Sequence, residues 1–292
     1  MPIVNSFPAK VLLLGEYTIL NGSKALALPY GSFSGKWSFE DNQSEARSSS
    51  QQSLKSFLDH STQEYIDHEL LKSHVDQGLW FDSSIPQGYG LGSSGALIAA
   101  IHQTYALGKG EIAFARTSLA HLEDHFHGSS SGLDPLVSLI QRPLLIHSFD
   151  HVEPMEKPLN LKGFFLLNTG KPRQTGPLVS IYQEKLKDPE FKQGCANVLA
   201  KEVNFAIEAL SQGETANIYH HLWLISKFQW DFFPEMIPTQ MRGIWTRGLE
   251  SGDYILKLCG AGGGGFLLGY SEKYDLAGMQ SMISSHELRS LT

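Results

Sequence analysis

Two apolar runs open the chain, Val11–Leu14 and Ala25–Leu28, separated by a polar stretch that ends in "NGS". Asn-Gly between such runs is a hairpin signal, so two strands joined by a turn are predicted here. A further strand is predicted over Gly35–Phe39. Residues 41–63 are rich in Ser and Gln with thinly spread apolar positions, which predicts an exposed loop leading into a helix over Leu54–Val75. "GLWFDSSIP" reads as a strand ending at Pro86. After it, "GYGLGSSGALIAA", Gly88–Ala100, sets four glycines and two serines in eight residues directly against an alanine-rich helix from about Ser94 to Leu107. A second helix is expected from Ile112 to His125, then the polar loop "HGSSSG", then helix again from Pro135.

In the second half, "GFFLLN", Gly163–Asn168, predicts a short buried strand, and Glu190–Leu210 and Ala216–Ser226 predict helices. "YILKLCGAGGGGFLLGY" reads as strand, glycine loop, strand, with room for one helix afterwards. No repeat of fixed period is visible. The mixture lacks a regular βαβα alternation, so an α+β arrangement in two halves is expected, with a boundary near 150–162 where prolines and charges gather.

Composition narrows the function classes. The 292 residues are 41% hydrophobic and 18% charged, which fits a globular protein. The net charge of -7 argues against nucleic acid as the main partner, because phosphate backbones require a basic face. Two cysteines, Cys195 and Cys259, imply neither a disulfide framework nor a zinc ribbon, and a reducing cytoplasm is the natural expectation. The opening apolar run is too short for a signal peptide or a membrane span, so no membrane partner is expected.

Chemistry concentrates in two places. A glycine loop running into a helix start can turn backbone N–H groups toward an anion, aided by the positive end of the helix dipole. Ser93 and Ser94 add hydroxyls suited to phosphate oxygen or Mg²⁺. The loop lacks the Gly-Lys-Ser/Thr ending of a P-loop and the spacing of the dinucleotide fingerprint. The second place is "HLEDHFHGSSSGLD", His121–Asp134. His121 and His125 lie four apart, as zinc ligands would, but Glu123 falls two residues after the first histidine instead of directly after it, which argues against a zinc-protease site. A solvated helix end is the plain alternative. Glu123 and Asp134 can also divide labour, one holding Mg²⁺ and the other accepting a proton from a hydroxyl; Asp134 before Pro135 equally suits a helix cap, and the two roles are compatible.

Three segments, in order and spread from Pro8 to Tyr270, resemble the three motifs of the GHMP kinase superfamily: "PAKVLLLGEYTILNGSKALALP", "IPQGYGLGSSGALIAA" and "KLCGAGGGGFLLGY". "EDHFHGSSSGLD" and "LLNTGKPRQTGPLV" are similar to segments of its mevalonate kinase branch. The resemblance implies a two-lobed α+β fold with a ribosomal-protein-S5-like N-terminal half, residues 1–158, and a ferredoxin-like C-terminal half, residues 159–292. It implies an ATP- and Mg²⁺-dependent kinase acting on a small acid, mevalonate first, as a cytoplasmic monomer or homodimer in isoprenoid biosynthesis; phosphomevalonate, another hydroxy acid or a sugar as acceptor, or a catalytically silent regulatory relative, are the alternatives.

Carried over by residue, the resemblance makes Asp134 the catalytic base with Lys10 beside it, and Ser94 and Glu123 the Mg²⁺ ligands. Gly88, Gly90, Leu91, Gly92, Ser93, Ser94 and Gly95, with Gly262 and Gly263, would hold ATP. Glu16, Tyr17, Arg173, Thr175, Gly260 and Ala261 would border the acceptor, Arg173 suiting a carboxylate. Three positions depart from the mevalonate kinase pattern. Tyr17 stands where histidine is usual, as in phosphomevalonate kinases. Cys259 stands for threonine before the third loop, and Phe266 for the residue after it.

Overall fold

The computed structural model describes residues 6–41, 43–60, 64–108, 111–173 and 175–291, and only the backbone of His127 and Thr175. In chain order the elements are β1 (Phe7–Leu14), β2 (Ala25–Ser38), α1 (Glu45–His60), α2 (His68–Asp76), β3 (Trp80–Ser83), α3 (Ser93–Tyr105), α4 (Ile112–His127), α5 (Leu133–Ile140), β4 (Leu144–Ser148) and β5 (His151–Pro154). They continue with β6 (Phe164–Asn168), α6 (Thr175–Lys185), α7 (Pro189–Gly194), α8 (Ala200–Gln212), α9 (Ile218–Phe232), α10 (Arg242–Ser251), β7 (Ile255–Leu258), β8 (Phe266–Tyr270), α11 (Leu276–Met282) and β9 (Leu288–Ser290). The strands form two sheets, ordered β1-β2-β4-β5 with β3 on β2, and β7-β8-β6-β9. This is the mixed α/β architecture expected.

The chain groups into two compact units that are not continuous in sequence. The first takes residues up to Lys10, Leu28–Pro86 and Leu91–Arg142; the second takes Val11–Ala27, Gln87–Gly90 and Pro143 onward. In the first unit α3 is buried on nearly every side from Gly95 to His102, as its all-round apolar sequence requires. Small residues let neighbours approach it closely: a Cβ on Gly95 would lie 2.9 Å from the Pro135 backbone nitrogen at the start of α5. In the second unit β6, β7 and β8 pair antiparallel through Leu166↔Leu268, Leu167↔Leu267 and Leu258↔Leu267. Their leucines and the rings of Phe233, Trp245 and Tyr254 form its core.

Several local expectations change. The "NGS" stretch does not make a tight hairpin; a 3-10 turn spans Thr18–Asn21 and closes on Gly22 in the left-handed region (φ 85°). Ala25–Leu28 and the expected strand from Gly35 are parts of the one strand β2, which ends at Ser38, one residue short of Phe39. The exposed loop expected over 41–63 is largely helix α1, with residue 42 and residues 61–63 outside the description. Leu54 and Phe57, three apart, are fully buried, and the Ser50 hydroxyl accepts from the Phe81 amide at 2.8 Å. One apolar pair and one serine anchor thus suffice to fix a helix whose other positions are polar. The single helix expected over Leu54–Val75 is broken: α2 starts separately, capped by Asp67, whose side chain accepts from the Leu70 amide at 2.9 Å. Between α7 and α8 the backbone takes a π turn at Cys195–Leu199 instead of one regular helix. After β8 the chain adds β9 as well as α11.

Candidate active site

The division between the units falls between Lys10 and Val11 and between Gly90 and Leu91, so the first two motifs each supply residues to both. In the first unit α3 begins at Ser93, with Gly92 ahead of it at φ 71° and no side-chain cap. The first N–H groups of the helix therefore have no side-chain cap at Gly92. A Cβ on Gly92 would come within 2.8 Å of Lys10 Cγ, so the bare glycine is what lets the lysine stem lie across the loop. The Lys10 amide donates to the Leu91 carbonyl at 2.9 Å. Lys10 is only 6% exposed, and its ammonium pairs with Asp134 Oδ2 at 2.9 Å. Asp134 is the second residue of α5, following Gly132 at φ 70°, and its side chain is 42% exposed. One face of this carboxylate is thus held by a cation and the other is open.

Glu123, late on α4, is 3% exposed. Ser94 Oγ donates to its Oε1 at 3.2 Å and Ser130 Oγ to its Oε2 at 2.5 Å. Burial, and after it the neighbouring Asp134 carboxylate, pushes Glu123 up to about 7 against the pull of the two hydroxyls and Lys10. Asp124 takes the Ser130 amide at 2.6 Å and so shapes the loop that delivers that serine. The first unit therefore brings Lys10, Ser94, Glu123 and Asp134 together, along with Leu91, Gly92, Ser93 and Gly95. His121 and His125 diverge: the first stacks on Tyr65, the second lies against His60 and Phe57. They share no metal position.

In the second unit Arg173 organises two glycine loops. Its amide donates to Gly88 O at 2.7 Å, and its Nη1 donates to Cys259 O at 2.6 Å. A Cβ on Gly90 would fall 2.1 Å from Nη2, and one on Gly260 would fall 2.7 Å from the same atom. The guanidinium is therefore laid between two residues that must be glycine, and its Nε is buried without a hydrogen-bond partner. The third loop packs just as closely: a Cβ on Gly262 would lie 2.5 Å from Met236 O, and Gly263 and Gly265 give their amides to Met236 O and Lys171 O at 2.6 and 2.7 Å. Those two N–H groups are already spoken for. The Thr175 side chain lies outside the described residues.

Glu16 and Tyr17 are both engaged by the protein. The Tyr17 hydroxyl donates to Ala261 O at 2.6 Å, the ring sits between Tyr182 and Phe233, and burial raises its pKa. Its backbone takes φ 65°, a strained value for a residue with a side chain. Glu16 is buried against Lys257, which also donates to the carbonyls of Leu13 at 3.0 Å and Leu258 at 2.6 Å. Burial raises the Glu16 pKa and Lys257 opposes the rise. Lys257, Ser130 and Asp124 escaped the sequence reading. For Lys257 a signal existed: it is the one charged residue in the apolar strand "ILKL", and such a residue demands a buried partner.

An uncapped helix start, a buried carboxylate with two serine hydroxyls and a lysine-held aspartate thus lie together in the first unit. Residues 58–141 match the family model described as "GHMP kinases N terminal domain". That stretch of the chain is similar to the N-terminal domain of GHMP kinases. Among solved structures the chain is similar to the Methanococcus jannaschii mevalonate kinase at 17% identity and TM-score 0.65, over 98% of this chain and 95% of that one. It is similar to the Streptococcus pneumoniae phosphomevalonate kinase in complex with phosphomevalonate and AMPPNP at 16% identity and TM-score 0.65, over 98% and 99%. It is also similar to the Lactococcus lactis galactokinase complexed with galactose, at 13%, TM-score 0.62, over 97% and 91%. At these identities the likeness is one of fold. Among curated proteins none matches the sequence significantly. No helix among the described residues is long and apolar enough to cross a membrane.

Proposed function

We propose that the protein transfers the γ-phosphate of ATP to a hydroxyl of a small acid, with mevalonate as first candidate. The observation that carries this reading is the Lys10–Asp134 pair at 2.9 Å in the same unit as the Ser94–Glu123 group at the start of α3. Lys10 holds one side of the Asp134 carboxylate, and its exposed side is open to take a hydroxyl proton. The α3 N-terminus and the bare backbone at Gly92 receive phosphate oxygens. Phosphoryl transfer needs mainly positioning and charge neutralisation, and this set supplies both.

Glu123 and Ser94 fit a divalent cation with oxygen preference. Burial and the neighbouring Asp134 carboxylate outweigh Lys10 at Glu123 and raise its pKa to about 7, so a further cation would offset the excess negative charge, and a hydroxyl already lies against it. Mg²⁺ bound there would neutralise charge on the transferred phosphate. Arg173 is the group proposed for the acceptor carboxylate, and Glu16 and Tyr17 set the floor on which it rests through Lys257 and Ala261. A cytoplasmic place in isoprenoid synthesis belongs to the same proposal.

A second reading, phosphomevalonate as acceptor, is favoured by Tyr17 after Glu16 and by the likeness in fold to the pneumococcal enzyme. ADP release measured against mevalonate, phosphomevalonate, galactose and homoserine separates the readings. Mevalonate turning over fastest is the expected result; phosphomevalonate alone would install the second reading, and silence with every acceptor while ATP binds would remove both.

A further inference from the structure

Away from these residues, β4 and β5 form a hairpin whose ladder slips by one residue between Ile146 and Ser148. His147 is the extra residue of that bulge, and a bulge re-aims the side chain it carries. It brings His147 to the same place as His151 and Glu153 of β5: one ligand atom from each lies within 4.8 Å of the other two. His147 Nε2 is buried with no hydrogen-bond partner, and Glu153 Oε2, 3.6 Å away, is too far for one. The imidazoles of His147 and His151 stack at 4.5 Å, 16° from parallel.

We propose that His147, His151 and Glu153 form a binding site for a divalent transition-metal cation of the zinc type, separate from the phosphate chemistry. Two imidazoles and one carboxylate suit zinc, nickel or copper, whereas Mg²⁺ prefers oxygen alone. Ligands of one tetrahedral zinc stand about 3.3 Å apart at bond lengths near 2 Å. The His147–Glu153 separation is already close to that. His151 has to turn its ring out of the stack, and as an exposed side chain on an edge strand it has the freedom to do so. Coordination satisfies the orphaned His147 nitrogen, which neither solvent nor protein now reaches.

The site is tested by calorimetric titration of the full chain with Zn²⁺ near neutral pH, with excess Mg²⁺ present to fill oxygen-only sites. Wild type should take up one equivalent of zinc that His147→Ala and His151→Ala each weaken by about tenfold or more, since losing a ligand costs at least as much as losing an outer-shell partner. Binding should fade on acidification, because the imidazoles must be neutral to ligate. His151 is exposed, so its variant folds even where the His147 variant does not. Undiminished zinc binding in His151→Ala, or no zinc heat in wild type, overturns the assignment.

Discussion

Glu123→Gln isolates the charge at the base of the proposed phosphate site, because glutamine keeps the shape of the protonated acid. The Glu123 pKa stands at about 7 against an ordinary 4.5. A raised carboxyl pKa means that the folded chain holds the proton more tightly than the unfolded one. Its contribution is therefore complete below about pH 4.5 and is lost as pH rises to about 7. At 1.36 kcal/mol per pH unit between about 4.5 and 7, this loss is roughly 3 kcal/mol. Without divalent cations, wild type should lose stability relative to the variant across that window, the gap then holding level to pH 8. In thermal unfolding the gap corresponds to a Tm difference on the order of 5 °C at pH 8. Saturating Mg²⁺ should close it by stabilising wild type and leaving the variant where it was. A variant no more stable than wild type at pH 8, or one equally stabilised by Mg²⁺, refutes the reasoning.

Lys257→Met strands a fully buried Glu16 carboxylate and should cost about 3–5 kcal/mol in urea unfolding. The double variant Glu16→Gln/Lys257→Met should recover much of that loss; an additive loss would show that the pair does not act as a pair. Arg173→Met should raise the acceptor KM by roughly tenfold or more, the worth of a charged hydrogen bond, and change the ATP KM less. An effect confined to ATP places the guanidinium on the nucleotide. Ser94→Ala should raise the Mg²⁺ concentration needed for half-maximal rate, and an unchanged titration removes its hydroxyl from the cation.

What the sequence could tell depended on how local the cause was. The start of α3 was legible because glycines followed by an alanine-rich run can hardly be anything else, and the structure starts the helix at Ser93, one residue early. Asp134 stood out by its place after "SSSG". Helix α1 was not legible, because two buried residues and a serine anchor give a weak period among so many polar positions. The Lys257–Glu16 pair joins residues 241 apart, and no periodicity reports such a contact. The bare glycines Gly90 and Gly260 signalled close approach, but only the folded chain reveals that the approaching group is Arg173.

The central claim is that Asp134, held by Lys10, takes the proton in phosphoryl transfer. Single-turnover transfer of labelled γ-phosphate to mevalonate, run beside ATP binding, tests it for wild type and Asp134→Asn. The account predicts unchanged ATP affinity and a transfer rate lower by about 10² to 10⁴ in the variant, the range of general-base contributions. Transfer by Asp134→Asn at the wild-type rate would contradict it.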